Sequence, residues 1–323
     1  MHLPLRALLV FAAIGLALPS ASWAQNKIQR VGVLTFENVQ DAVWFPSFRQ
    51  KVADAGWVEG KNLVFEFRNA NGDPSRFAAP AAELVRLKVD ILCPVGPAAV
   101  RAAFAATRDI PIVAHDFETD PVAVGYARTY SRPGGNLTGL FLDSPELAAK
   151  WLELLKASVP NLSRAAVLWD VTSGPVHLDA VKKMAVSFSI KLQVLNIHTP
   201  ADIDKAPAGF RGHPQALIVL PSPMMYFESA RLAELTKKQR LPATSMFRKF
   251  AEAGGMFAYG PDIPATTDRF AVLLGKVLNG AKPGDIPIER PVKFEFVINR
   301  NAAKALGLTI PDILLTRADE VIR

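Results

Sequence analysis

The sequence predicts an α/β fold: two Rossmann-like lobes, each with a parallel sheet, joined by a hinge that the chain crosses three times. Three observations carry that expectation. Short β-rich runs alternate with longer segments of helical apolar spacing. The alternation restarts after a glycine-rich turn, as if one architecture were used twice. Two isolated strand-like pieces are then left over near the end. Alternation of strand and helix at this period points to βαβ units and parallel sheets covered on both faces.

The first run opens with RVGVLTF (30–36) as a strand. AVWFPSFRQKVADAG (42–56) follows with helical spacing and stops at Gly56. NLVFEFR (62–68) alternates as a second strand. SRFAAPAAELVRLK (75–88) reads as a helix, VDILCPV (89–95) as a strand, PAAVRAAFAAT (97–107) as a helix and IPIVAHD (110–116) as a strand. The turn cluster SRPGGNLTG (131–139) marks the expected hinge, near Gly134 to Gly139.

The second run repeats the rhythm. ELAAKWLELLKASV (146–159) is a helix, RAAVLWD (164–170) a strand, HLDAVKKMAVSFS (177–189) a helix and KLQVLNI (191–197) a strand. QALIVLP (215–221) is a further strand and SARLAELTKKQR (229–240) a further helix. GGMFAYGPD (254–262) and PVKFEFVINR (291–300), separated by the helix TTDRFAVLLGKVLNG (266–280), supply the two extra passes between lobes. The expected division is residues 25–138 plus 258–292 for the first lobe and 139–257 plus 293–323 for the second. Rigid bodies joined in this way close on a cleft.

Residues 1–24 read as a signal peptide. A basic Arg6 precedes an apolar run from Ala7 to Leu18, and the small residues Ser22 and Ala24 flank Trp23. That pattern fits cleavage after Ala24 and export to the periplasm, and the run is too short for a spanning helix. Removing 24 of 323 residues leaves 299, enough for two domains, and loss of Arg6 lowers the formal charge from +7 to +6. The remaining Lys and Arg are interleaved with acids, so no nucleic-acid partner is indicated. The single cysteine, Cys93, lies in the apolar run VDILCPVG and reads as a small core residue.

In open parallel sheets, ligands bind beyond the carboxyl ends of the strands. Those ends deliver Thr35 and Phe36, then Gly96, Pro97 and Ala98, then His115 to Asp120 from the first lobe. The second lobe delivers Asp170 to Ser173, Ser222 with Pro223, and Phe247 with Arg248. In IVAHDFETDP (112–121), four polar side chains fall within six positions. Adjacent strand residues such as His115 and Asp116 point to opposite faces, and no second His lies nearby, so a metal site is not expected. A P-loop, a G-x-G-x-x-G and a G-x-S-x-G elbow are all missing, and no catalytic residue or cofactor is expected. Asp116 and Glu118 suit an ammonium or hydroxyl; Asp120 before Pro121 suits a turn. Gly96 allows close backbone approach, and the first N–H groups of the following helix suit a carboxylate. Asp170, Ser222, Phe36 and Phe247 complete the candidate ligand-binding set with Arg248. Met224 to Phe227 read either as core or as an adaptable apolar wall.

The mature chain resembles the bacterial ABC-transporter substrate-binding proteins that share the type I periplasmic-binding-protein fold. The resemblance rests on an ordered set spanning nearly all of it: RVGVLTF, GWVEGKNLVFEFR, VGPAAVRAA, DPVAVG, SRPGGNLTGLFLD, ELAAKWLELLK, FRKFAEAGGMFAYGPD, GAKPGDIPIERPVKFEFVINRNAAKALGLTIP and RADEVI. It implies a small ligand trapped between the lobes and delivered to a membrane permease and its ATPase. His115 and Phe117 stand where this branch typically has an apolar residue and Leu, and Lys249 where an acidic residue is common. The expected protein is a monomer that binds a small polar or zwitterionic solute, amino acid-like or aromatic acid-like. The alternatives are a periplasmic sensor feeding a membrane receptor, or an exported hydrolase.

Overall fold

A computed structural model describes residues 28–38, 44–142 and 145–323. The expected signal peptide lies outside them. The first sheet holds β1 (Gln29–Thr35), β2 (Leu63–Asn69), β3 (Ile91–Pro94), β4 (Ile112–Asp116) and β5 (Leu137–Phe141) in the order β2-β1-β3-β4-β5, all parallel. Side chains alternate across it as a strand period of two requires. Val31, Val33, Cys93 and Val113 face one apolar cluster, and Leu34, Leu92, Ile112 and Ala114 face the other. The helix α2 (Ala78–Arg86) and the helix α3 (Pro97–Ala106) cover the second face, and α1 (Phe45–Asp54) covers the first. Cys93 is fully buried there, and burial pushes its thiol far up, as an inert core residue requires.

The second sheet comprises β6 (Arg164–Asp170), β7 (Lys191–Ile197), β8 (Ala216–Val219), β9 (Ala243–Ser245), β10 (Phe257–Pro261), β11 (Phe294–Asn299) and β12 (Glu320–Ile322). Its order is β12-β11-β10-β9-β8-β6-β7, with β10 and β11 antiparallel and every other pair parallel. Around it lie α4 (Pro145–Ser158), α5 (Val176–Ser187), α6 (Pro200–Lys205), α7 (Pro223–Phe227), α8 (Ser229–Lys238) and α9 (Arg248–Glu252). Trp151 of α4 is fully buried and donates its indole N–H to the Tyr259 carbonyl at 2.8 Å. Among the described residues, no helix is long and apolar enough to cross a membrane.

Three passages join the sheets. The first leaves β5, and Leu142 N donates to the Asp116 carbonyl at 3.0 Å. The second leaves β10 for α10 (Ile263–Leu278), which packs on α1 of the first lobe through stacked Phe48 and Phe270. The chain then runs beside β5, where Phe141 N donates to the Glu289 carbonyl at 2.9 Å. The third returns to β11, followed by α11 (Arg300–Ala305) and α12 (Asp312–Leu315). The second and third passages are tied together, because Asp262 N donates to the Lys293 carbonyl at 3.0 Å and the two side chains pair at 2.5 Å.

The hinge expected at Gly134 to Gly139 is corrected by this pairing. Residues 137–139 open β5, registered on β4 with His115 opposite Leu140 and Asp116 opposite Phe141. The turn chemistry of Pro133, Gly134 and Gly135 precedes a short apolar run that is buried throughout. The expected change of lobe at 138/139 therefore cuts a strand of the first sheet, and the one at 257/258 cuts β10 of the second. Gly139 is part of the strand because β4 lies so close: a Cβ there would stand 2.0 Å from the Ala114 carbonyl oxygen. The substitution Gly139→Ala is expected to cost at least about 2 kcal/mol by overpacking and backbone strain, measured as a drop in denaturant midpoint at unchanged slope.

Candidate functional site

The carboxyl ends of both sheets converge on one cleft. From β3 the chain passes through Val95 to Gly96, which starts α3 at φ 89°. A Cβ at Gly96 would lie 2.3 Å from Cγ of Pro223, the first residue of α7 in the other lobe. Two helices thus begin against each other, and only glycine fits the left-handed backbone and the contact together. Gly96 N donates to the His115 carbonyl at 2.8 Å, so the α3 start is also locked to the end of β4. Opposite, Ser222 caps α7, its Oγ accepting from Met225 N at 3.2 Å.

Beside this contact is a cavity of ≈ 740 Å³, mouth included. Its walls are mainly aromatic. The first lobe supplies Phe36, Trp44, Phe117 and Phe270, and the second supplies Tyr226, Phe227 and Phe247. Phe36 and Phe227 stack across the cleft with centroids 5.9 Å apart, and Tyr226 meets Phe247 edge-on at 5.2 Å. Such rings offer large, stiff apolar area at low entropic cost. The Lys249 ammonium lies 5.0 Å from the Tyr226 ring centroid, holding a cation against the wall. The polar side chains at the lining are few: Thr35, His115, Glu118 and Thr267 besides the Tyr226 hydroxyl.

The end of β4 carries the charge. Asp116 and Glu118 are buried, at 0 % and 4 % exposure. Asp116 Oδ1 accepts from Glu118 N at 2.9 Å, and Glu118 Oε2 accepts from Phe117 N at 3.2 Å. Asp116 Oδ2 has no hydrogen-bond partner among the described residues. Burial pushes the Asp116 carboxyl above the usual range, opposed by the Glu118 N–H. Burial and then the neighbouring Asp116 charge push Glu118 well above it. Asp170, buried at the end of β6, adds to the negative field on Glu118, and its Oδ1 accepts from Thr172 N at 2.9 Å. Arg101 of α3 partly offsets that field at Asp116 while donating to the Thr172 carbonyl at 3.4 Å. His177 of α5 donates through Nε2 to the Phe117 carbonyl at 2.9 Å. These last two bonds cross between the lobes, so the cleft is closed. Burial also pushes the His115 imidazole down to about 4, which keeps it neutral near pH 7.

Thr35, Phe36, Gly96, Glu118 and Phe247 all border the cavity. Pro97 and Ala98 follow Gly96 as the opening of α3, and Asp116, Asp170 and Ser222 are buried close behind the rim. Arg248 does not line it. Its guanidinium is taken by Glu252 at 2.7 Å, Glu295 at 3.3 Å and Glu320, three carboxylates from α9, β11 and β12. Asp120 makes the expected turn, its Oδ1 accepting from Val122 N at 2.9 Å and Ala123 N at 3.1 Å. Of the Met224–Phe227 run, the two methionines are core while Tyr226 and Phe227 reach the cavity. Phe141, at the end of β5, is core. Trp44, Ile263, Thr267 and Phe270 escaped a search of strand ends because they come from α1, α10 and their approaches. The spacing of Ile263, Thr267 and Phe270 on one helix face was the available signal.

Known proteins share this architecture. The chain is 25% identical over 282 residues to the tyrosine-binding protein of Clostridioides difficile, covering 84% of this chain and 80% of that one. A conserved domain protein from Vibrio cholerae superposes with TM-score 0.81 at 25% identity, over 91% of this chain and 100% of the other. An ABC domain from Streptococcus pneumoniae, in complex with L-Trp, superposes with TM-score 0.80 at 22% identity over 91% and 99% of the two chains. Residues 45–322 match the family described as ABC transporter substrate binding protein, a family of solute-binding proteins, and the chain belongs to it.

Proposed function

We propose that this protein captures an aromatic amino acid between its lobes and hands it to a membrane permease for ATPase-driven import. One observation carries the reading: the aromatic cavity is bordered by the buried Glu118, whose backbone N–H bonds the buried Asp116, and neither carboxylate has an ion-pair partner among the described residues. The ligand ammonium would complete the Asp116–Glu118 pair, in a dry site where an unpaired partner is costly. Its carboxylate would take the free N–H groups at the start of α3. Its ring would lie in the cavity beside the stacked Phe36 and Phe227 and against Phe247. The tyrosine-binding and L-Trp-bound relatives support the same ligand class. In this reading residues 1–24 direct export and are cleaved after Ala24, and the monomer works in the periplasm without chemical change to the ligand.

Titration calorimetry with tryptophan, tyrosine and phenylalanine tests the reading. The variant Glu118→Gln is expected to weaken binding about 10- to 100-fold, the worth of a charge-assisted hydrogen bond. Unaltered affinity in both Glu118→Gln and Asp116→Asn would remove the carboxylates from the site. The pH dependence has a definite sign. Both carboxyls hold their protons above the usual range, so acidification neutralises the pair and affinity for the ammonium falls. The fall is expected to begin well above pH ~4, where free carboxyls titrate. Asp170, Arg101 and Tyr126 face the same pair and set where it occurs. Arg248→Ala is expected to leave affinity within about twofold while lowering the thermal midpoint, since its partners are structural carboxylates.

A further inference from the structure

A single sign of charge meets the aromatic cavity. Among the described residues that border it, Glu118 carries the one charged side chain; the others are aromatic, aliphatic, hydroxyl or, in His115, a neutral imidazole. No Lys or Arg is among them. Two cations on adjoining helices are placed elsewhere. Arg101 of α3 is exposed and donates to the Thr172 carbonyl at 3.4 Å. Lys249 of α9 is also exposed, its ammonium 5.0 Å from the Tyr226 centroid and 5.8 Å from that of Phe227. Behind Glu118 lie the buried Asp116, which accepts its backbone N–H at 2.9 Å, and the buried Asp170, whose charge reaches the same carboxyl. The field at this end of the cavity is therefore negative. A cation gains from it directly, and gains again wherever it meets the face of a ring.

The carboxylate of an amino acid meets the reverse conditions. At the start of α3, Gly96 N already donates to the His115 carbonyl at 2.8 Å, and Pro97 has no N–H. The next two N–H groups belong to Ala98 and Ala99, residues with 8 % and 0 % exposure that do not border the cavity. The Pro223 ring of α7 presses on the same turn. An anion brought in beside Glu118 is repelled by it, and peptide dipoles rather than a counter-charge must compensate its lost hydration. We infer that the cleft also takes aromatic monoamines, the counterparts of aromatic amino acids without the carboxylate, and binds them at least as tightly as the amino acids. This rests on the reading in which Glu118 holds the ligand ammonium and the aromatic walls hold its ring. Those two groups carry the affinity. The carboxylate adds little, because repulsion and desolvation offset what the helix start returns.

The test pairs L-phenylalanine, L-tyrosine and L-tryptophan with phenethylamine, tyramine and tryptamine, by titration calorimetry near neutral pH. For the amino acid that the parent protein binds best, the matching amine is expected to bind within about threefold or more tightly. Glu118→Gln is expected to weaken that amine at least about tenfold, with a thermal midpoint scan reporting that the variant is folded. The comparison on the parent needs no variant, so it decides the matter even where Glu118→Gln does not fold. An amine bound more than about threefold more weakly than its amino acid overturns the inference and leaves the aromatic amino acid reading standing. A folded Glu118→Gln that keeps full affinity for the amine overturns the inference as well. Binding of the amines alone supports it and overturns the amino acid reading. Failure of the parent to bind any of the six compounds overturns both.

Discussion

Two helices starting nose to nose set the geometry of this protein. At the start of α3 the Gly96 backbone meets the Pro223 ring of α7 so closely that no Cβ fits between them. Everything that defines the cleft is arranged around that contact. The Gly96 N–H fixes the last residues of β4, β4 fixes the loop that carries Glu118, and the loop carbonyl of Phe117 receives His177 from the other lobe. The cavity lies beside the contact, and its walls can be broad flat rings because this close approach is made elsewhere, by the Gly96 backbone against the Pro223 ring. A side chain at Gly96 would hold the lobes apart at the point from which the rest is measured.

Much of this arrangement is legible in the amino-acid order, and the reasons are local. A strand followed at once by Gly-Pro and a helical run must turn its chain toward the carboxyl edge of a parallel sheet, so Gly96 could be placed at the cleft without coordinates. Asp116 and Glu118 follow from the same rule. Arg248 obeys it too, yet its guanidinium faces away. Three carboxylates from α9, β11 and β12 lie nearer than the cleft, and two of them are distant in sequence. The strand of Phe141 is hidden for a related reason: it follows a Pro-Gly-Gly turn, which reads as hinge. The lining residues of α10 were missed because a helix belonging to one lobe is entered from a strand of the other, a relation that periodicity does not encode.

The electrostatics of the cleft divide along the two faces of β4. On one side Asp116, with Glu118 beyond it, stores negative charge that burial makes costly; on the other His115 is kept neutral by the same burial. One strand end therefore presents a charged face and an uncharged one within neighbouring residues. The aromatic rings of the cavity contribute area more than orientation.

The three passages between sheets have a consequence for how the molecule comes into being. The first sheet is finished at Phe141, but one of its faces has only α1 for cover until α10 arrives more than a hundred residues later. The second sheet in turn waits for β11 and β12 at the end of the chain. Neither half can mature alone as the polypeptide emerges, and long loops must close before either core is sealed. Folding with such distant pairings is slow. For the exported polypeptide proposed above, such lateness would be an asset: the interleaved order delays the sealing of either core until the last strand is available.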